Sequence, residues 1–328
     1  MSENKTSVLK RKGGSIISSL SRPLLVLLIC VVIAILEPKF LKMTNLMNVL
    51  RQSSLLLIMS LGMLFVMLLG RGMDLSIGAT LSITSCFAAY VMNINTKSVP
   101  VMLLGMLVGI VIGVLVGALN GSLVAYLKLP AVLVTYGTQR VIRGIAYLLM
   151  SETVIRKMPP FITYIGTASF LGVSLPVWIS LIFTIIVSLI LVRTSFGRRF
   201  FLVGANDAAA DYSGIDSKKT VVWGFVLNAL FATLAGFIYI GRLSAAEAQI
   251  GEDFHFNAIS ACAIGGVLFT GGVGSPWGVV CGAMILMLLQ NGMNLMGIAA
   301  DWNKLVQGAA IIIAVLLDFM TRRKNNSR

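Results

Sequence analysis

The sequence predicts an all-α integral membrane protein, with about ten transmembrane helices in two inverted five-helix repeats. Three observations point there. The 328 residues are 57% hydrophobic and 12% charged, with a mean hydropathy of +0.93, whereas soluble domains carry roughly a quarter charged residues. The apolar residues fall in runs that approach the roughly 20 residues a helix needs to cross a hydrocarbon core. Three short stretches of the first half also recur, in the same order, in the second. So little polar surface is left that most of the exterior must face lipid.

The expected spans are 20–36, 54–69, 76–94, 100–127, 131–150, 176–193, 219–241, 256–270, 277–297 and 303–319. Those at 76–94 and 256–270 are short or flanked by glycine. Residues 1–22 are expected as a cytoplasmic N-terminal segment, 23–320 as a single transmembrane domain, and 321–328 as a basic cytoplasmic tail. Lys10-Arg11-Lys12 precede the first apolar run, but no small-residue cleavage site ends it, so it is expected to remain as the first membrane helix. Orientation follows from the bases. Arg193, Arg198, Arg199, Lys218 and Lys219 crowd the central loop 194–219, and Arg322, Arg323, Lys324 and Arg328 the tail, while Glu247, Glu252 and Asp253 mark an acidic outer loop. Both termini are expected inside; Lys39, Lys42 and Arg51 count against the scheme. Because the bases sit at the ends of apolar runs, the net charge of +14 forms no nucleic-acid-binding face.

Segment 100–127 has glycine at 105, 109, 113, 117 and 121. A glycine every four residues lays a smooth stripe along one helical face and predicts close packing against a neighbour. The 17 methionines read as adaptable packing, and Cys30, Cys86, Cys262 and Cys281, all in apolar segments, as free thiols without metal-ligand spacing.

The internal repeat pairs Gly72–Ala79 with Gly251–Ala258, Leu119-Asn120-Gly121 with Gln290-Asn291-Gly292, and Gln139–Gly144 with Asn303–Gly308. It maps the third to fifth spans onto the eighth to tenth. An offset of five spans reverses direction across the membrane, an inverted repeat of the kind that places a transport pathway between halves.

Polar groups within the spans are the candidates for such a path. Arg140 and Arg143 lie one turn apart on a face with Tyr136, Gly144 and Tyr147. A buried arginine needs a partner or a wet cavity. Two readings stand open: a lining for a polar solute, or a salt bridge or carbonyl contact between helices. Asn120 and Asn291, at matched positions, have the same two readings, as does Asn294. Asp74 and Asp253 precede short apolar segments and are expected to cap them. His255 is the only histidine, which excludes a histidine cluster, and Gly271-Gly272-Val273-Gly274-Ser275 lacks the Lys-Ser/Thr ending of a phosphate-binding loop. No catalytic or metal site is expected.

In the central loop, Asn206-Asp207-Ala208-Ala209-Ala210-Asp211-Tyr212-Ser213-Gly214 predicts a helix of about two turns outside the bilayer, with Asn206 as N-cap and Gly214 as stop. Alone it would be marginal, so a docking partner would explain it. This loop resembles the Gly-Gly-Asn-x-x-Ala-Ala-x-x-Ser-Gly-Ile signature of permease subunits of ribose/arabinose/xylose/galactose-type ATP-binding-cassette importers. Asp74-Leu75-Ser76-Ile77-Gly78 resembles their Asp-Leu-Ser-Val-Gly motif. Pro130 to Thr138, with Thr135 and Gly137, resembles a second motif, and Gly265-Gly266 followed by Gly271, Gly272 and Gly274 a third. Arg71 and Met73 depart from the residues usual before Asp74, and His255-Phe256-Asn257 replaces the commoner Glu-Leu-Asp.

The resemblance implies a transport subunit in the bacterial inner membrane, not an enzyme and without a cofactor of its own. ATP and Mg²⁺ would sit on a separate cytoplasmic ATPase, and a periplasmic binding protein would deliver a monosaccharide. A second permease copy or a paralogue would complete the membrane part, surrounded by lipid. It further implies that residues 206–214 are the coupling helix seated in the ATPase. Importers of amino acids, nucleosides or a sugar-like signal, and an ion-coupled carrier, are the rival readings.

Overall fold

A computed structural model describes residues 22–299 except 152, together with 301, 302, 304–306, 308, 309, 311–313 and 316. The expected N-terminal segment up to residue 21, the tail and the repeat positions 303 and 307 lie outside the described residues. The chain is helical almost throughout. In order come α1 (Arg22–Leu36), a 3₁₀ turn (Pro38–Leu41), α2 (Met43–Leu68), α3 (Ile77–Met92), α4 (Val99–Ala125), α5 (Ala131–Met150) and α6 (Pro160–Thr167). A two-stranded hairpin, β1 (Ser169–Phe170) and β2 (Val173–Ser174), leads to α7 (Leu175–Arg193), α8 (Ser195–Ala205), α9 (Asp207–Tyr212), α10 (Ser217–Leu243), α11 (Phe254–Ile264) and α12 (Pro276–Leu295). A further apolar helix, Lys304–Ile313, is described in part.

Among the described residues five helices, α2, α4, α7, α10 and α12, are long and apolar enough to cross a membrane. Helices α2 and α10 form the centre. From Ser53 to Leu68 every residue of α2 is buried, as expected of a helix apolar on all sides. Helix α10 packs against α2, α3, α4 and α6. Helices α4 and α7 are peripheral and expose leucine and isoleucine outward, among them Leu103, Leu107, Leu115, Ile182 and Leu189, the surface a lipid solvent requires.

The glycine stripe of α4 does what its spacing predicts. A Cβ at Gly105 would meet Met92 and Ala88 of α3, and one at Gly117 or Gly121 would lie 2.7 Å from backbone atoms of α10. Small residues thus let backbones approach where apolar burial alone drives little association in lipid.

Several boundaries differ from expectation. Helix α2 starts at Met43, eleven residues early, because Asn45, Arg51 and Gln52 lower the hydropathy there, although Asn45 is paired within the fold to Asn291. Helix α11 stops at Ile264, where Gly265 and then Gly266, in the left-handed region at φ +78°, turn the chain. The loop 151–174 holds α6 and the hairpin, and the central loop holds two helices rather than one.

Helices α3 and α11 are each preceded by irregular chain, 73–76 and 244–251, that is largely enclosed by protein: the first turns at Leu75-Ser76, and the second bridges Ile155 at Ala246 and then turns from Ala248 on. The ends of these stretches meet: a Cβ at Gly78 would collide with the carbonyl of Gly251, and one at Gly251 would lie 2.7 Å from that of Gly78. Irregular backbone survives inside a membrane protein only where protein groups satisfy it, and side chains do so here. Thr135 accepts from Leu75 N–H (3.0 Å), and Ser82 donates to the carbonyl of Ala248 (2.8 Å).

Candidate functional site

The central loop is a built unit. Thr194 caps α8 by accepting from Gly197 N–H (3.0 Å), and Asn206 caps α9 by accepting from Ala209 N–H (3.0 Å), as the sequence predicted. Gly214 ends α9 at φ +80°. Its N–H donates to Asp211 O and that of Ile215 to Ala210 O, both at 3.0 Å, the bond pair of a Schellman stop. Asp211 then accepts from the N–H (2.9 Å) and hydroxyl (3.0 Å) of Ser217, tying α9 to α10. Those two bonds hold the Asp211 carboxyl below the usual carboxylate range. Of the coupling-helix candidates, Ala210 is buried, while Ala208, Ala209, Asp211, Ser213 and Gly214 are exposed. Tyr212 of α9 is 95% exposed and Leu202 of α8 is half-exposed.

Beneath, the unit rests on turns from both halves of the chain. A Cβ at Gly204 would collide with Leu68 O and lie 2.6 Å from Gly272 N, and one at Gly271 would lie 2.5 Å from Gly70 N. Gly272 N–H donates to Leu68 O (2.8 Å), and Arg71 forms an ion pair with Asp207. The turn that follows α2 and the glycine turn between α11 and α12 therefore interlock with the end of α8.

The first motif converges on the start of α3. Asp74, fully buried, accepts from the N–H (2.8 Å) and hydroxyl (2.6 Å) of Ser76 and from the Asn228 amide of α10 (2.8 Å). Ser76 in turn accepts from the Asn120 amide of α4 (2.9 Å). Asp74 thus joins three helices instead of capping α3 directly. Asp253 stands at the N-cap of α11 without a capping bond. Its ψ of 9° is not the extended backbone a capping side chain needs.

The four pathway candidates are dispersed. Asn120 is buried at the Asp74 hub. Asn291 forms a reciprocal amide pair with Asn45 (3.0 and 2.8 Å). Arg143 donates to the carbonyls of Ala248 and Ile250, pinning the 244–251 stretch to α5. Arg140 is exposed, bonded to the Tyr136 hydroxyl (3.0 Å) with its guanidinium 5.1 Å from the ring centre. The four cysteines are free, and no cluster that could hold a metal occurs among the described residues.

A cavity of about 230 Å³ lies between α2, α10, α11 and α12, lined by the polar residues Gln52, Tyr239, Arg242, Asn257 and Gln290. In the sequence, Asn257 and Gln290 stood out only as repeat or family positions, and Gln52, Tyr239 and Arg242 did not stand out. Gln290 adjoins the quoted Asn291, but one helical position is a rotation of about 100°, which turns Gln290 to the cavity and Asn291 to Asn45. The one available signal was a polar residue inside an apolar run.

Long apolar helices, short helices preceded by enclosed irregular chain, and a packed loop of two short helices define a multi-pass membrane permease. The chain belongs to the family described as the permease component of branched-chain amino acid transport systems, which it matches over residues 45–315. It is similar to the ribose import permease protein RbsC of Haemophilus influenzae, with 34% identity covering 97% of this chain and 98% of that one. The Bacillus subtilis ribose import permease is 35% identical over 89% of each chain, and the L-arabinose transport system permease of Escherichia coli is 32% identical over 87% and 85%. No solved structure matches it significantly.

Proposed function

We propose that this chain is the membrane permease of an ATP-binding-cassette importer, carrying a monosaccharide handed over by a periplasmic binding protein and driven by a separate ATPase. The observation that carries the reading is the α8–α9 unit, which presents Tyr212 outward while resting on turns from both halves of the chain. A push on α9 would pass through Gly204 to the turns that lead into α3 and α12, which is what a coupling helix must do. The ribose and arabinose permeases to which the chain is similar favour a sugar over the amino acid of the family description.

In this reading the ten apolar helices cross the membrane as two inverted sets of five, with both termini and the α8–α9 unit cytoplasmic. The left-handed glycines at matched positions support the repeat: Gly72 at φ +114° and Gly251 at φ +77° each stand shortly before a short helix. A second permease copy would pack on the exposed face of α5. A Cβ at Gly137 or Gly144 on that face meets nothing within 4 Å among the described residues, so these glycines have no packing role there, and close approach of a partner would supply one. Arg140 shares this face and is the pathway candidate left free to line a passage, whereas Asn120, Arg143 and Asn291 already serve contacts within the fold. ATP and Mg²⁺ belong to the ATPase.

Reconstitution into proteoliposomes with the ATPase and binding protein tests the proposal. ATP-dependent accumulation of a labelled pentose or hexose is expected. Uptake by this chain alone, driven by an ion gradient, would replace the proposal with a secondary carrier.

A further inference from the structure

We infer that the cavity between α2, α10, α11 and α12 is a holding site, within the protomer, for one neutral monosaccharide. The inference rests on the importer reading above. Its position fits: Gln52 lies on α2 roughly 24 Å along the axis from Leu68, where the α8–α9 unit rests, and Arg242 and Gln290 lie near the ends of α10 and α12. The cavity therefore lies toward the end of the molecule opposite the coupling unit, the side from which a binding protein would deliver solute.

Its chemistry fits as well. Sugar hydroxyls both donate and accept, and the amides of Gln52, Asn257 and Gln290 with the Tyr239 hydroxyl offer both functions. Arg242 offers donors only, suited to ring and hydroxyl oxygens. Asn257 Oδ1 is buried with no donor among the described residues. Such a group persists where a ligand or water satisfies it. Among the described residues no carboxylate lines the cavity, so a cationic solute finds no counter-charge from them. Phe254, edge-on to Tyr239 at 5.7 Å between ring centres, and Met287 supply an apolar wall for the C–H face of a sugar ring. At about 230 Å³, the space is smaller than the roughly 300–1,000 Å³ of sites for drug-sized ligands, which restricts it to one small solute.

The test uses the complete transporter in proteoliposomes with labelled D-ribose, L-arabinose and D-allose. Failure of the wild type to accumulate any of them with ATP would overturn the importer reading on which the inference rests. With transport established, Gln52→Cys is labelled by a bulky methanethiosulfonate and then released with dithiothreitol. Uptake should fall at least tenfold on labelling and return on release, while ATP hydrolysis persists and the wild type, with its own cysteines, is unaffected. Because the block is reversible, misfolding cannot imitate it. Asn257→Ala and Gln290→Ala should also lower uptake at least tenfold, with ATP hydrolysis within twofold of wild type. Full uptake in labelled Gln52→Cys protein, or in both alanine variants, would overturn the holding site.

Discussion

Replacing Gly214 with alanine isolates a single backbone conformation. The residue sits at φ +80°, and a Cβ there would meet nothing within 4 Å among the described residues, so no clash confuses the result. An L-residue in the left-handed region pays about 1–2 kcal/mol. Helix α9 has six residues, far too few to stand alone, and depends on its caps and on the Asp211–Ser217 tie. A loss of one or two kcal/mol changes the ratio of formed to unformed helix by a factor of about 5–30. That factor bounds the loss in affinity for the ATPase, because only the formed helix docks. The assay is binding of the ATPase to nanodisc-embedded permease by biolayer interferometry. Gly214→Asn should lose less, since asparagine tolerates this region. Gly172→Ala is the control: Gly172 has φ +78°, is equally open, and lies in the β1–β2 turn. Unchanged affinity for Gly214→Ala, or an equal loss for Gly172→Ala, would refute the argument that α9 receives the force.

The remaining predictions concern the supports of the site. Asp74→Ala leaves buried donors of Asn228 and Ser76 without an acceptor, at about 1–3 kcal/mol each; its melting temperature in detergent should fall well below that of Asp74→Asn, which keeps an acceptor oxygen. Gly204→Ala puts a methyl against Leu68 O and should cost about 1–3 kcal/mol as overpacking, visible as faster hydrogen exchange at the Gly272 amide. Arg143→Ala frees the carbonyls of Ala248 and Ile250, and should raise thiol-reagent labelling of a cysteine placed at Gln249. The depressed Asp211 carboxyl sets a pH dependence. Its bonds to Ser217 contribute fully above the unfolded pKa, about 3.9, and are lost as pH falls through the lower folded value. Protection of the Ser217 amide, corrected for intrinsic exchange, should hold from neutral pH to about 4 and drop only below; Asp211→Asn should abolish the step.

Much of this was legible along the chain because it depends on neighbours in sequence. Asn206 and Gly214 bracket α9 as their residue types require, and the spacing of Gly105 to Gly121 announced a face for close packing. The Asp74 hub was not legible. It gathers Asn228 from 154 residues away and, through Ser76, Asn120 from 44 residues beyond that serine, and periodicity reports that a face is buried without saying what it meets. Helix α8 was missed because Arg198 and Arg199 interrupt its apolar pattern, yet Phe200 and Val203 bury it against the membrane helices.

What the sequence determined by itself is the solvent and the segments: a chain this apolar must face lipid, and its helices must satisfy their own backbone groups there. It also determined the caps and stops, which are local bonds. Tertiary structure decided which polar groups are spent and which are left over. Asn291 and Gln290 are adjacent in sequence, yet one pairs with Asn45 and the other faces a cavity. A helix separates neighbouring side chains by about 100°, and only the packing of α2, α10, α11 and α12 settles what each direction meets.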